Sequence, residues 1–414
     1  MSKALFFTGG LLMKNALRML ILLSICSLFT GCTMEESVVE ENETSQKELS
    51  IYSTYESATL NEAISCYTET YPDVEIELVT CEERTVEEIT NAILSGQDAP
   101  DLIVLDDFKN RGIELQDELL PIKEEINGEN LIISLKEDAV IYSIPLRVSV
   151  PLVFATQLKF STVEAIIEDS NNFILTDVNY EDLIDIFYLY YPVNFIDESQ
   201  KINAEQLQIF LENIKNTGEN IGASIEENPS ELKEDEWYQI KNFLINNNSI
   251  MYHDAQGIED VKYYVGATGK VHGNATFVDG LCPQLQVAVY KNSPVIDKCI
   301  DFINIALSDK IQKNDWSDGF PVTISALEAW GESYQKTEEN IILEKQGDEE
   351  LTVWEPEKSE VQILLSMIKD SPEIYTRDVE LMEIIKDNTS DYWEENESVE
   401  NVVKNIIDIY EMSK

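Results

Sequence analysis

The pattern of apolar and polar positions predicts alternating strands and helices at the start of the chain. Leu49–Ser53 is short and apolar, and apolar residues between 60 and 71 then recur at helical spacing. Val74–Val79 alternates with a period of two, and the spacing over 86–93 is helical again. Leu102–Leu105 is a continuous apolar run, as in a strand buried on both faces. This order predicts parallel βαβ units with right-handed crossovers.

The stretch Asp138–Thr156 has a different pattern, because β-branched and aromatic residues are interrupted by two prolines. Pro145 and Pro151 lack a backbone N–H, so the stretch cannot be an ordinary central strand. We expect a segment that begins in one sheet, breaks at Ile144–Pro145 and continues into another sheet. Such a crossing joins two lobes and borders a cleft between them.

The later part of the chain has mainly helical spacing. Helices are predicted at 160–169, 180–190, 204–214 (ended by Thr217-Gly218), 237–244, 295–307, 361–368, 381–385 and 399–410. Short strands are predicted at 249–252 and 284–290, and the acidic segment 337–350 is predicted to be a mobile loop. With 414 residues the chain is too long for one core, so two α/β lobes are expected. We place lobe I at 47–144 plus 258–312, and lobe II at 145–257 plus 313–414.

The N-terminal segment is typical of an export signal. Lys14 and Arg18 precede an apolar run, Met19–Phe29, that is too short to span a bilayer. Leu28–Cys32 resembles a bacterial lipobox, although Phe29 replaces the usual leucine. The resemblance implies a signal peptide over 1–31 and lipidation of Cys32; the alternative is an ordinary thiol after a plain signal. Residues 32–46 are acidic and unpatterned, as in a disordered tether. Met1 and Met13 both remain possible starts.

Charge and cysteine content exclude some classes of function. The chain has 29 basic and 79 acidic residues, a net charge of −50, which repels nucleic acid. The acids indicate either a solvated surface or, if concentrated in the cleft, attraction of a cation. The spacings of Cys66, Cys81, Cys282 and Cys299 match neither a zinc site nor a disulfide framework. Cys66 and Cys299 lie at apolar helical positions and are expected to be buried free thiols.

Several blocks together resemble the family 1 extracellular solute-binding proteins, the receptors of bacterial ABC importers. The blocks are Tyr71–Glu77, Ile93–Leu105, Tyr142–Pro145, Asn247–Tyr252, and Phe302–Leu307 with Gly319–Val322. The resemblance implies an α/β, two-lobe periplasmic-binding-protein-like (type II) fold with a hinge and an interlobe cleft.

The resemblance also implies which loops contact a ligand. The candidates are Tyr55, Glu56, Asp106, Asp107, Arg147, Asp254 and Gln256, and we add Trp316. Carboxylates, amides and an aromatic face suit a sugar, although the loop at 254–256 has no tryptophan. Trp237, Trp316 and Tyr252 are possible substitutes.

Each candidate also has a structural alternative. Asp106 and Asp107 could cap a helix, and Glu56 could be an ordinary exposed acid. Arg147 could pair with an acid of the other lobe, and Trp316 could be core packing.

The favoured function is a lipid-anchored receptor on the outer face of the cytoplasmic membrane. It would capture a small solute, with carbohydrate favoured, by lobe closure about Ser143–Leu146, and deliver it to an ABC permease. We expect a monomer without a metal or cofactor. We also expect no enzyme activity, since Gly-x-Ser-x-Gly, His-Glu-x-x-His and P-loop motifs are absent from the sequence. The alternatives are a sensor lipoprotein that presents ligand to a membrane signalling partner, and a surface glycoside hydrolase with two carboxylates.

Overall fold

The computed structural model of the protein describes most of the chain beyond residue 46. The described residues are 47–111, 113, 115–122, 125–126, 130–133, 140–155, 179–190, 201–221, 223, 240–241, 244, 250–277, 281–314, 318–346, 349–370 and 379–413. The predicted signal peptide, Cys32, the tether, Trp316 and the predicted helix at 160–169 lie outside them.

Ten strands are described in this part of the chain. They are β1 (Lys47–Ser53), β2 (Val74–Thr80), β3 (Leu102–Val104), β4 (Ser143–Ala155), β5 (Ile250–Ala255), β6 (Asn274–Phe277), β7 (Cys282–Val289), β8 (Phe320–Pro321), β9 (Asn340–Gln346) and β10 (Glu349–Trp354).

Thirteen α-helices are described in the same residues. They are α1 (Ala58–Thr70), α2 (Val86–Ser95), α3 (Asp106–Asn110), α4 (Tyr180–Tyr190), α5 (Ala204–Ile221), α6 (Ile258–Lys270), α7 (Ile296–Ala306), α8 (Asp309–Gln312), α9 (Ile324–Ser333), α10 (Lys358–Asp370), α11 (Val379–Asp387), α12 (Ser390–Trp393) and α13 (Val399–Ser413).

Eight of the strands form one sheet in the order β2-β1-β3-β7-β4-β5, with β6 and β8 also paired to β4. β1 is parallel to β2 and to β3, so the predicted parallel βαβ start is confirmed. Apolar side chains cover both faces: Ile51 and Leu102 belong to one core cluster, whereas Tyr52 and Ile103 belong to another. This burial explains the continuous apolar run of β3.

Local sequence signals determine the first two helices. Ser57 caps α1 by accepting a hydrogen bond from the Leu60 N–H. Thr85 and Glu88 form a capping box at the start of α2, and Gly96 ends that helix with a φ of 69°. Cys299 is buried on α7 and, like Cys66, is free, as expected.

Strand β4 is the predicted crossing, but the predicted break at Ile144–Pro145 is wrong. Residues 143–145 and 147–149 pair with β7, and 150–155 pair with β5, so the change of partner falls at Ser149–Val150. Pro145 opposes Gln286, whose N–H and C=O bond to Asp106 and Leu105 on the other side. Pro145 therefore occupies a non-hydrogen-bonded position of the ladder, where a missing N–H costs nothing.

The segment 337–350, predicted as a mobile loop, instead contributes to an antiparallel hairpin of β9 and β10. The many acidic residues of this segment favoured a loop prediction, but two features of the sequence favour a hairpin. Ile341-Ile-Leu and Leu351-Thr-Val-Trp354 have strand propensity, and the two residues between the strands are Gly347-Asp348, a favoured hairpin pair. Hairpin pairing thus prevails over local polarity.

Helices α4, α5, α11, α12 and α13 share a second apolar core, in which the rings of Tyr180 and Trp393 stack at 4.6 Å. Helix α5 continues past its predicted end at Thr217-Gly218. A Cβ at Gly218 would collide with the ring of Tyr180, so this glycine permits close packing of α4 rather than ending α5. The predicted lobe boundaries are not tested by these features and stay a prediction.

Candidate ligand-binding site

The carboxyl ends of β1 and β3 bring the first candidates together. The two strands are parallel neighbours, so the residues that follow Ser53 and Val104 emerge at the same edge of the sheet. Tyr55 follows β1, and Asp106 begins α3 directly after β3. Tyr55 is 38% exposed, whereas its hydroxyl end is buried near Asp106. Ligands of open α/β sheets bind at such an edge.

Asp106 is held by strand β7. Its Oδ2 accepts a hydrogen bond of 2.9 Å from the Gln286 N–H. Burial raises the pKa of the Asp106 carboxyl, although this N–H and Lys109 act in the opposite direction. The N-cap of α3 is Leu105, with no side-chain capping bond, so the structure does not support the capping alternative. Asp107 lies half-buried beside Asp106 in the first turn.

Tyr55 is linked to the same strand through an unusual backbone position. Leu285 has a φ of 52°, a left-handed conformation that is rare for a leucine. Burial raises the pKa of the Tyr55 phenol, and the charge of Asp106 raises it further, whereas a hydrogen bond from the Leu285 backbone opposes the shift. The phenol is therefore neutral and able to donate a hydrogen bond. Strained backbone of this kind is concentrated at functional sites.

Three residues that sequence reasoning missed complete this part of the site. Lys109 donates from Nζ to Oε1 of Gln286 and, at 3.5 Å, to Oγ of Ser143. Lys109 lies three residues after Asp106 on α3, and a basic residue is unusual in so acidic a chain. A lysine so close to Asp106 could therefore have been identified from the sequence as a candidate site residue. Gln286 could not, because its position depends on the pairing of β7 with both β3 and β4.

A second polar chain joins β7 to β5 at the point where β4 changes partner. The Gln284 amide donates to Ser149 Oγ at 3.3 Å, and Ser149 donates to Asp254 Oδ1 at 3.1 Å. Asp254 is half-buried, and its neighbour Gln256 is exposed, with its N–H bonded to Asp260 at 2.8 Å. The predicted residue Asp254 is thus connected to the same strand, β7, that holds Asp106.

The remaining candidates differ in position. Glu56 is exposed at the edge of the sheet, next to Tyr55. Arg147 is 0% exposed, so its burial argues against the predicted contact with a ligand. Its Nε donates to Thr59 Oγ1 at 2.9 Å, and Thr59 in turn donates to Asp318 at 2.8 Å. The expected acid partner is therefore reached through a hydroxyl group.

The arrangement can recognise a ligand rich in hydrogen-bonding groups. Asp106, Asp107 and Asp254 supply acceptors, Lys109 supplies a donor, and the exposed part of the Tyr55 ring offers an apolar face. The excess of carboxylates disfavours an anionic ligand. Among the described residues, no cluster of histidine, cysteine and acidic side chains could hold a metal ion. No helix in the described part is long and apolar enough to span a membrane.

The sequence matches no protein-family model and no curated protein. The structure, in contrast, is similar to many solved structures. A family 1 extracellular solute-binding protein of Alicyclobacillus acidocaldarius has a TM-score of 0.52 at 12% identity, covering 88% of this chain and 97% of that chain.

Two further similar structures were solved with maltose or with acarbose bound. The maltose-bound MalE3 of T. maritima has a TM-score of 0.51 at 13% identity, covering 88% of this chain and 99% of that chain. The GacH receptor of Streptomyces glaucescens, solved unliganded and with acarbose, has a TM-score of 0.51 at 14% identity, covering 89% and 98%.

These matches extend over most of the chain and therefore concern the whole architecture. At such low identity they establish the fold, while the residues that contact ligand in each relative cannot be transferred. The fold expected from the sequence is confirmed: this chain has the two-lobe α/β fold of the family 1 extracellular solute-binding proteins.

Proposed function

We propose that this protein is an extracytoplasmic receptor that captures a small carbohydrate between its lobes and passes it to an ABC permease. The observation that carries the proposal is the polar site on β7, where Asp106 and Asp254 are held from two different parts of the sheet. Proteins of similar fold that bind maltose or acarbose support a sugar as the ligand class.

The mechanism that we propose is binding coupled to closure. Asp106 follows β3, whereas Asp254 lies on β5, beyond the point where β4 changes partner. A rotation about Ser149–Val150 would change the separation of these two carboxylates without breaking either strand pairing. A ligand that contacts both would then favour the closed form, and no covalent step is required. We place the flexing point here rather than at Ser143–Leu146, because Ser143, Ile144 and Pro145 keep one partner strand, β7, whereas β4 changes partner after Ser149.

The proposal includes the setting of the protein. A lipid on Cys32 and the acidic tether 32–46 would hold a monomeric receptor at the outer face of the membrane, near its permease. Cys32→Ala is then expected to release the protein from the membrane fraction into the medium. Retention of the variant on membranes would contradict lipidation.

A thermal-shift screen tests the ligand class. Glucose, maltose and longer malto-oligosaccharides would be compared with amino acids, polyamines and metal ions. At 100–1,000 times the dissociation constant, a bound sugar should stabilise the protein by roughly 3–4 kcal/mol. Stabilisation by amino acids alone would reject the carbohydrate, and release of shorter sugars during incubation would reject a pure receptor in favour of a hydrolase.

A further inference from the structure

A cavity of about 530 Å³ lies away from the candidate ligand-binding site, between α6, the end of β10 and the start of α10. Its walls include Gly266, Gly269, His272, Trp354, Glu357 and Glu360. Volumes of 300–1,000 Å³ are usual for pockets that hold small molecules. The cavity is therefore large enough for a ligand of its own.

One wall of the cavity is an indole that the fold keeps uncovered. Trp354 is 42% exposed although it ends a strand that packs on α6. A Cβ at Gly266 would collide with the Trp354 carbonyl, so this glycine allows the strand to lie directly on the helix. His272 contacts the indole edge to face, with ring centroids 5.6 Å apart. The exposed part of the Trp354 indole lines the cavity and is available to a ligand.

The charge of the walls is negative. Four glutamates, Glu339, Glu355, Glu357 and Glu360, line the cavity together with one lysine, Lys336. Lys262 lies 3.9 Å from the buried Glu355 and 3.4 Å from Glu259, so two lysines face five glutamates. The acids named here therefore outnumber the lysines by three. An anionic ligand is therefore disfavoured, and a cation is attracted.

Lys336 shows that these walls can hold an ammonium group. Its Nζ lies 2.8 Å from a Glu357 oxygen and 3.3 Å from a Glu339 oxygen. Glu355, in contrast, is buried and accepts hydrogen bonds from the Thr337 and Glu338 N–H groups, so it has a structural role. Glu360 accepts from the Glu357 N–H at 2.7 Å and still reaches the cavity.

The cavity is separate from the site proposed for the sugar. Helix α6 has 13 residues and is about 20 Å long. The helix begins at Ile258, shortly after Asp254 and Ala255 at the end of β5. The cavity, in contrast, lies along the second half of the helix, from Val265 onward. Occupation of one site therefore does not require occupation of the other.

We propose that this cavity binds a small organic cation with an apolar or aromatic body, placed over the Trp354 indole. A cation over an indole face gains a cation–π interaction. Glu360 supplies the opposite charge, because Glu357 is already paired with Lys336. The apolar wall formed by Val265 and Pro356 accommodates the body of the molecule. The required ligand chemistry is thus that of a primary or substituted amine rather than that of a neutral sugar.

Isothermal titration with benzylamine, benzyl alcohol and benzoate tests this inference, because the three probes share a ring and differ in charge. Benzylamine should bind at least about tenfold more tightly than benzyl alcohol, and benzoate should not bind. Its affinity should fall as salt is added. Equal affinity for the amine and the alcohol would overturn the proposal.

Variants locate the binding. Trp354→Leu should weaken benzylamine binding about tenfold and remove any change in tryptophan fluorescence that benzylamine causes. Glu360→Gln keeps an oxygen for the Glu357 N–H and should weaken binding several-fold, which decides the question if Trp354→Leu does not fold. The matched control is Glu328→Gln, an exposed acid that pairs with Lys369 outside the cavity. Equal effects of Glu328→Gln and Glu360→Gln would reject the site.

Discussion

Strand β4 contacts two polar clusters that differ in their access to water. The first is the Arg147 cluster, formed by Arg147, Thr59, Gln312 and Asp318. The second, which we propose contacts the ligand and call the ligand-binding cluster, is formed by Asp106, Lys109, Ser143 and Gln286 with Tyr55. Arg147 and Gln312 are 0% exposed, whereas Lys109 and Tyr55 reach the surface. Both clusters are built on polar residues, so polarity alone does not separate architecture from function.

The Arg147 cluster satisfies its own members. The Arg147 guanidinium donates to the carbonyl groups of Ile311 and Asn314, each at 3.3 Å, in addition to Thr59. The Gln312 amide donates to the carbonyl groups of Leu146 and Ala306 at 3.1 and 2.9 Å. This cluster joins β4 to α8 and to the start of α1. A buried charge bonded in this way has a structural role.

The ligand-binding cluster is organised differently. Asp106 uses one carboxylate oxygen for the Gln286 N–H, and Lys109 lies at the surface on the first helix after β3. Its groups are fixed in direction by β7, and several of them reach solvent. The comparison teaches that a predicted binding residue should be judged by how much of its hydrogen-bonding capacity the fold has already used.

The largest effect that we expect separates the two basic residues. Arg147→Ala removes a buried charge and leaves Thr59 and several carbonyl groups without a donor, so the free energy of unfolding should fall by about 3–5 kcal/mol. Lys109→Ala should cost only about 1–2 kcal/mol, because Lys109 itself is exposed, although the Gln286 amide oxygen loses a donor. Urea denaturation of both variants measures the difference. A similar loss for both would show that the two clusters do not differ as we argue.

The next effect concerns ligand rather than stability. Asp106→Ala combined with Asp107→Ala should abolish the roughly 3–4 kcal/mol of stabilisation that the sugar from the thermal-shift screen provides, with little change in the apo melting temperature. Asp297→Ala combined with Asp301→Ala removes the same charge from the exposed surface of α7 and should leave ligand stabilisation unchanged. A large loss of apo stability in the first variant would assign Asp106 and Asp107 to the architecture.

The local pattern was sufficient for elements with their own signals. Helix α2 has both its capping box and its terminal glycine in the sequence, and the period of two in Val74–Val79 corresponds to β2. Asp106 follows the predicted parallel strand Leu102–Leu105, at whose carboxyl end a ligand is expected, and the resemblance to a known family supplied it as well as Asp254. No local pattern contains the proximity of these two residues to β7. The predicted lobe boundaries and ligand contacts stay predictions.

Residues whose roles depend on distant segments could not be predicted. Arg147 is buried by carbonyl groups of residues 311–314, more than 160 positions away, and its own neighbours in sequence do not reveal this. Gln284 and Gln286 enter the site only through the register of β7 with β4. Long-range register decides which polar residues become buried, and it is not encoded in local periodicity.

The smallest effect that we expect is the pH dependence of stability that arises from the shifted pKa values of two aspartates, Asp106 and Asp260. Burial raises the pKa of Asp106, so the folded chain binds this proton more tightly than the unfolded chain does. Its contribution to stability is then greatest at low pH and is lost as the pH rises from about 4, the unfolded value, through the folded pKa. Asp106→Asn keeps an oxygen for the Gln286 N–H and removes this dependence. Relative to the wild type, the variant should therefore gain stability with rising pH.

Asp260, which lies on α6 shortly after β5, provides the opposite case. Burial tends to raise its pKa, but hydrogen bonds from His253 and from the Gln256 N–H prevail and lower it. Its stabilisation is therefore present above about pH 4 and is lost as the pH falls through the folded pKa. Asp260→Asn should destabilise the protein at pH 6 and have a smaller effect at pH 3. Chemical denaturation across this range should give slopes of opposite sign for the two variants. Slopes of the same sign would mean that Asp106 is solvated like an ordinary surface acid, and the ligand-binding cluster would lose its central carboxylate.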